Sequence, residues 1–370
     1  MSTMIEISLN ISREQIDSIE SKNGYKIIND DTYRSLIYDE SGNVVSFCPL
    51  SSNDVNEYFN NDKLNDNVRV EQYVEGTMIN LFYDNGKWNY ATRRNVGGEN
   101  SFWITGSRKK TTFSKMFEDC CDTINLNVND LNKEHIYSFV MQHVDNRIIN
   151  PILNNKLYLI SVYAKPTECY PNTIKMIKHI DNKELNIPEC LKTPEYMTEN
   201  NKNDIINKYA SPTTDYSIMG INLFNTETGQ RTKIRNPSYE ELKKLRGNQA
   251  KIEYHYLTLR KNNKLDEFIH FFPEFSHDFH HFEAKIQNFT RELYNRYVDC
   301  YMHRAKPLRE YEPNYKKHMF NIHEQYKIDK QPTTVETIYK YTYDVPEAVL
   351  MSSVNYDFRN KKDQQVEISV

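Results

Sequence analysis

Within Glu71-Gln72-Tyr73-Val74-Glu75-Gly76-Thr77 a phenol, a carboxylate and a glycine, three groups that could take part in chemistry, stand within four residues. The side chain of Tyr73 could serve as a nucleophile, Glu75 supplies a carboxylate, and Gly76 allows a close approach of the backbone to a ligand. Tyr73 is a poor attacking group, because a phenol pKa near 10 leaves roughly one molecule in a thousand ionised at neutral pH. The alternative is that its ring simply fills space. Lys233-Ile234-Arg235 offers the complementary function. Strand alternation places Lys233 and Arg235 on one face, where they neutralise phosphates or form a solvated strand face. Arg93 and Arg94, at the end of a strand written Trp88–Arg94, point to opposite faces, with Arg94 and Thr92 sharing one.

Other clusters carry less. Lys63-Leu64-Asn65-Asp66 holds a lysine near an aspartate, but in an Asn/Asp-rich turn where the amine stays hydrated. His277 pairs with His280 at i,i+3 or with His281 at i,i+4, but such a pair needs a third metal ligand that the sequence does not locate, so a capped helix start is the expectation there. Gly97-Gly98 and Gly106-Ser107-Arg108-Lys109-Lys110 lack the P-loop spacing; the second is a phosphate contact or a solvated turn.

The elements that must position these residues are short. Met78–Tyr83 reads as a strand, Asp84-Asn85-Gly86-Lys87 as its turn, and the run from Trp88 as its partner. Leu157–Tyr163 reads as a buried strand, and residues 181–211 as a helix and loops decorating the sheet. Before residue 236, β-branched and aromatic runs alternate with Asn/Asp/Gly turns, which predicts an antiparallel α+β domain. After Pro237 the period becomes helical, most clearly in Phe279, Phe282, Ile286, Phe289, Leu293, Tyr297 and Tyr301. Such a stripe is core packing or, alternatively, a base-stacking surface.

In order and spacing these segments resemble the T4-type RNA ligases, over roughly residues 30 to 245. Tyr73-x-Glu75-Gly76 stands where the family carries Lys-x-Asp-Gly, so a tyrosine occupies the lysine position. Arg34-Ser35-Leu36-Ile37 resembles an Arg-Gly-aliphatic strand, and Pro49-Leu50 with Tyr58-Phe59-Asn60 a Pro-aliphatic to Phe-Phe-Asn stretch. Asn146-Arg147-Ile148-Ile149 matches Asn-Arg-Ile-Val, which puts the family's upstream glutamate on Val140. Met219-Gly220 matches Glu-Gly, and Lys233-Ile234-Arg235 the closing Lys-x-Lys/Arg strand. The resemblance implies an antiparallel-sheet nucleotidyltransferase domain, ATP-grasp-like, over residues 1–236, an all-helical domain over 237–355, and a loose charged tail over 356–370. It further implies a nucleotide- or phosphate-binding set of Glu75, Gly76, Arg94, Lys233 and Arg235, with Asn146, Arg147 and Gly220 as structural motif residues. No catalytic residue and no metal ligand is assigned, and no cofactor is certain, since lysyl-AMP cannot form at Tyr73.

The expected role is a disabled ligase-like protein that binds RNA or nucleotide, or joins viral RNA-processing or replication proteins. Two alternatives stay open: an active ATP- and Mg²⁺-dependent RNA ligase with an atypical nucleophile, and a structural viral protein. The formal charge of −4 over 370 residues argues against coating nucleic acid by bulk charge and leaves room for a local basic groove. No apolar run approaches a membrane span, and Met1–Lys22 lacks signal-peptide order, so a cytoplasmic site, in host cytoplasm or a viral factory, is expected. The six cysteines show no metal-site spacing and read as free thiols.

Overall fold

The computed structural model describes residues 4–99, 111–177, 188–249 and 251–357. The Gly106–Lys110 run and most of the expected tail lie outside the described residues, as does part of 181–211. The strands are β1 (Met4–Ser8), β2 (Tyr25–Asn29), β3 (Arg34–Asp39), β4 (Val44–Ser46), β5 (Phe59–Asn60), β6 (Lys63–Leu64), β7 (Val68–Gln72), β8 (Thr77–Asp84), β9 (Lys87–Ala91), β10 (His135–Gln142), β11 (Lys156–Ala164), β12 (Thr173–Ile177), β13 (Tyr196–Met197), β14 (Gly220–Asn225) and β15 (Arg231–Arg235). The helices are α1 (Arg13–Asp17), α2 (Phe113–Thr123), α3 (Lys202–Tyr209), α4 (Pro237–Arg246), α5 (Ile252–Lys261), α6 (Leu265–Phe271), α7 (Ser276–Tyr297), α8 (Pro313–Asp329), α9 (Val335–Asp344) and α10 (Glu347–Val354).

A six-stranded sheet runs β1-β12-β11-β10-β8-β9, and a four-stranded sheet β13-β7-β14-β15, with antiparallel neighbours throughout. Alternation along β8 sends Ile79 and Leu81 to one face, where Tyr137, Phe139 and Met141 of β10 join them. Helix α2 covers that face with Met116, Phe117, Cys120 and Cys121, spaced one turn apart. Burying a side chain such as Phe117 there stabilises by about 1.5–3 kcal/mol. Asn85 and Gly86, at φ +50° and +76°, form the tight turn predicted between β8 and β9.

The chain divides into two compact units, and the division falls after Arg246 rather than after residue 236. Helix α4, expected to open the helical domain, belongs to the first unit, where Tyr239 and Leu242 are buried and the Arg246 guanidinium donates to the Arg147 carbonyl at 2.7 Å. The second unit holds α5 to α10, so the architecture is an antiparallel α+β unit followed by a helical one, as the sequence predicts. The α7 stripe is core: Phe279, Phe282, Ile286, Phe289, Leu293 and Tyr297 are buried, Phe279 stacks on Phe268 at 5.2 Å, and Phe289 stacks on Tyr315 at 5.0 Å. The start of α7 differs from expectation, since no side chain caps it and the chain enters through the 3₁₀ turn Pro273–Phe275. Strand β9 stops at Ala91, so Arg93 and Arg94 lie in the turn beyond it, and the opposite-face assignment does not hold.

Candidate phosphate-binding site

The four-stranded sheet has one apolar and one charged face. Its register aligns Glu71, Asn222 and Lys233 in one row and Arg69, Phe224 and Arg231 in another. By alternation these residues and Arg235 share a face. Val70, Ile221, Leu223 and Ile234 take the other, packed with Ile205 and Tyr209 of α3. The charged face meets the six-stranded sheet across a cavity of about 10 Å³, room for about one water, lined by Arg69, Glu71, Asn222 and Arg231 on one side and Ser161 and Tyr163 on the other. Gly220, at φ +127°, makes the strand approach possible, because a Cβ there would fall 2.3 Å from the Ile234 carbonyl oxygen.

Negative charge on this face is already committed. Glu71 accepts from Arg69 Nε at 3.0 Å and Nη2 at 2.6 Å through one oxygen, and from Asn222 Nδ2 at 3.1 Å through the other. Asn222 Oδ1 is buried and accepts no hydrogen bond from the described residues. The remaining cations have no such partner. Arg34 donates to Ser51 Oγ at 2.6 Å and Arg231 to the Leu50 carbonyl at 3.3 Å, both neutral acceptors. Among the described residues no carboxylate pairs with Arg34, Arg231 or Lys233, and Arg235 alone of the group has one, Glu240 at 2.8 Å.

Tyr73 leaves the end of β7 and lays its ring beneath these cations, with Lys233 Nζ 4.8 Å and Arg235 Cζ 6.0 Å from the ring centroid. Burial pushes the Tyr73 phenol above its ordinary pKa, with Arg235 and Arg231 pulling the other way, so the hydroxyl stays protonated at neutral pH. Lys233 is pulled down to about 7, first by burial and then by Arg231 and Arg235. Cys48, buried nearby, is pushed up to about 11 by burial against the pull of Arg231, Lys233 and Arg34, and remains a thiol.

Glu75 does not face the cations. Its Oε1 accepts from the backbone N–H of Ile149 at 3.0 Å and of Asn150 at 3.1 Å, and its Oε2 from Asn150 Nδ2 at 2.8 Å. Burial raises its pKa, and the two N–H donors oppose the shift. Tyr239 lies close enough for its phenol to be raised by burial and by the Glu75 charge, yet its hydroxyl meets no hydrogen-bond geometry. Gly76, at φ +150°, lets β8 close on β10: a Cβ there would sit 2.5 Å from the Met141 carbonyl oxygen and 2.6 Å from Val140 Cγ1. Val140 therefore fills the space beside Gly76 with hydrocarbon, and Met219 is half-buried just before β14.

Asn146 donates from Nδ2 to Thr77 Oγ1 at 2.8 Å, and Arg147 from Nε to the Ile149 carbonyl at 2.8 Å; both brace the loop after β10. Arg94 is exposed, and its neighbour Arg93 donates to Asn29 Oδ1 at 3.1 Å. Lys63 is exposed on the β5–β6 hairpin. The structure thus brings Tyr73, Lys233 and Arg235 together and sets Glu75 toward the loop after β10. Sequence reasoning left Arg231 out, although its period-two spacing from Lys233 signals the shared face. Arg34 entered only as part of a strand pattern.

A divalent metal does not fit the residues present. Val140 and Met219 stand where the resembled pattern has carboxylates, Glu75 is bonded to residues 149–150, and among the described residues no group of three His, Cys, Asp or Glu is placed to hold an ion.

No family model matches the chain. Of the curated proteins, an "Immediate-early protein ICP-46 homolog" of Invertebrate iridescent virus 6 is 26% identical over 291 residues, covering 72% of this chain and 60% of that protein. A protein of the same description from Invertebrate iridescent virus 3 is 24% identical over 242 residues, covering 63% of this chain and 50% of that one. Both relatives are viral. The chain spans 50% and 60% of the lengths of these two relatives. Among solved structures, an archaeal ATP-dependent RNA ligase is 12% identical with a TM-score of 0.35, covering 66% of this chain and 57% of that one. The Naegleria gruberi RNA ligase with PPi is 11% identical with a TM-score of 0.30, covering 48% and 51%. No helix among the described residues is long and apolar enough to cross a membrane.

Proposed function

We propose that this chain is an RNA-ligase-like protein that binds a phosphate-bearing ligand, a nucleotide or a single RNA strand, over the cations around Tyr73, and that it has given up adenylylation at position 73. The observation that carries this reading is the set Arg34, Arg231 and Lys233, drawn inward without a carboxylate among the described residues. Uncompensated buried charge is costly, so its persistence calls for an external anion. Tyr73 supports the same reading, since its ring gives the cations a face to rest on and gives the ligand no amine. The ordered sequence resemblance to T4-type RNA ligases favours nucleotide or RNA over other anions. The viral relatives favour a viral setting, in host cytoplasm or a viral factory, with RNA-processing or replication proteins as partners.

Fluorescence anisotropy with single-stranded RNA, and separately with ATP, tests this. Affinity for RNA is expected to fall steeply between about 50 and about 200 mM salt, and the salt slope to drop by roughly 0.7 for each phosphate contact removed. A Lys233→Ala/Arg235→Ala variant should bind at least about tenfold more weakly. Binding that ignores salt and both substitutions would reject the reading.

A further inference from the structure

In the second unit an open groove of about 410 Å³ runs between α6 and α7. Its floor is apolar, with Tyr256 of α5, Ile269 of α6 and Phe279 of α7, and the Tyr256 and Phe279 rings meet edge to face at 5.1 Å. Its rim is acidic. Asp266 and His270 stand one turn apart on α6, and His280 and Glu283 one turn apart on α7, so each pair shares a face of its helix, and all four are exposed along the groove. Among the described residues neither carboxylate pairs with a cation; Glu283 Oε1 accepts from Gln287 Nε2 at 3.2 Å, and Asp266 has no partner.

The floor carries a second sign of an absent occupant. Tyr256 is only 3% exposed, yet it lines the groove with a hydroxyl that makes no hydrogen bond among the described residues. Burial and then the Glu283 charge push this phenol up to about 12, against the pull of Arg260, so the hydroxyl keeps its proton and remains a donor. A donor drawn inward without an acceptor is costly to keep. A metal ion does not complete the site, because among the described residues no group of three His, Cys, Asp or Glu is placed to hold one. A phosphate backbone does not either, since Asp266 and Glu283 repel it.

We propose that this groove is the docking site for a protein partner that presents an arginine or lysine side chain next to apolar ones. The aliphatic stem of that side chain lies along Phe279 and Tyr256, and its charged head reaches the carboxylates of Asp266 and Glu283. A backbone carbonyl of the docked segment accepts from the Tyr256 hydroxyl, which is why the occupant is a peptide and not a lone cation. Charge complementarity selects the partner: two carboxylates without cations, set over an aromatic floor, match a basic amphipathic segment and reject an acidic one. None of these residues belongs to the cation cluster of the first unit, so this proposal and the phosphate-binding one stand or fall separately.

The test is selection of phage-displayed peptides on the full chain, with counter-selection on the Asp266→Lys/Glu283→Lys variant to remove binders of every other surface. Peptides with an arginine or lysine beside leucine, phenylalanine or tyrosine are expected to survive. A surviving peptide, labelled and titrated by fluorescence anisotropy, should bind Asp266→Asn/Glu283→Gln at least about tenfold more weakly, and should bind the natural chain more weakly as salt rises from about 50 to about 200 mM. Tyr256→Phe should weaken it about threefold with no loss of thermal stability, because the hydroxyl removed has no partner in the free chain. Both carboxylates are exposed, and thermal melts of the Asn/Gln variant check that lost binding is not lost fold. No surviving peptide, survivors without a basic residue, or equal binding to the neutralised variant overturns the proposal. Sedimentation velocity addresses the rival occupant. Dimerisation of the full chain that Asp266→Asn/Glu283→Gln abolishes would seat a second copy in the groove and overturn the assignment to a separate partner, whereas a chain that stays monomeric upholds it.

Discussion

Glu75 and Lys233 are both charged side chains drawn into the same unit, and their surroundings are opposites. Glu75 is met by three donors, the N–H groups of Ile149 and Asn150 and the Asn150 amide. Lys233 is met by Arg231, Arg235 and Arg34, and by no carboxylate among the described residues. A buried charge whose partners all come from its own chain ties segments together; one whose neighbours repel it has been left for something from outside. In the sequence the two residues look alike as binding candidates. Their partners separate them into a structural tie and a ligand contact.

Removing each charge tests that separation, because the effects should cross over. Glu75→Ala strands the Ile149 and Asn150 donors in the interior and should cost about 3 kcal/mol or more in urea denaturation. Its RNA affinity, measured where the variant is still folded, should change by no more than about twofold. Normal stability with lost binding would move Glu75 into the site. Lys233→Met should do the reverse, raising stability at pH 7 by about 1 kcal/mol, with screening of a half-exposed group taken into account, and abolishing tight anion binding. The sign follows from the pKa values. The folded amine titrates at about 7 and the unfolded one at 10.5, so between them the unfolded chain holds more protons and the stability of the natural protein rises with pH. The advantage of Lys233→Met is therefore full below about pH 7 and shrinks toward 10.5. A constant difference across that range would mean that the amine is not perturbed.

The contrast between the two residues also marks where sequence reasoning stops. Periodicity is local, and it was enough for the antiparallel strands, the Asn85-Gly86 turn, the buried α7 stripe and the shared face of Lys233 and Arg235. The same rule extends to Arg231, so that cation was readable in principle. The commitment of Glu75 was not, because its partners lie at residues 149–150, more than 70 positions along the chain, and reach it only through the pairing of β8 with β10. The end of β9 was misplaced because Thr92-Arg93-Arg94 continues the strand pattern in composition, while the chain turns there, with the Thr92 N–H donating to the Asn95 carbonyl. Helix α4 shares the helical period of the elements after it yet lies in the first compact unit, because period says nothing about what a helix packs on.

Substitutions at Tyr73 sharpen the comparison further. Tyr73→Phe keeps the ring under Lys233 and Arg235 and should leave RNA binding within about twofold, whereas Tyr73→Ala removes the face and should weaken binding by about 1 kcal/mol. Loss of binding in Tyr73→Phe alone would give the hydroxyl a direct role in holding the ligand.

The smallest effect is expected at Arg94. Its charge equals that of Arg235, but it is exposed in the turn after β9, where water and salt already solvate it. Arg94→Ala should change stability by less than about 0.5 kcal/mol and RNA affinity by less than about twofold at physiological salt. A tenfold loss in that variant, with Lys233→Met binding normally, would shift the contact surface from the charged face of β7, β14 and β15 onto the β8–β9 hairpin. It would also show that the buried cations are balanced by something within the chain, and so break the distinction drawn between Glu75 and Lys233 at its stronger end.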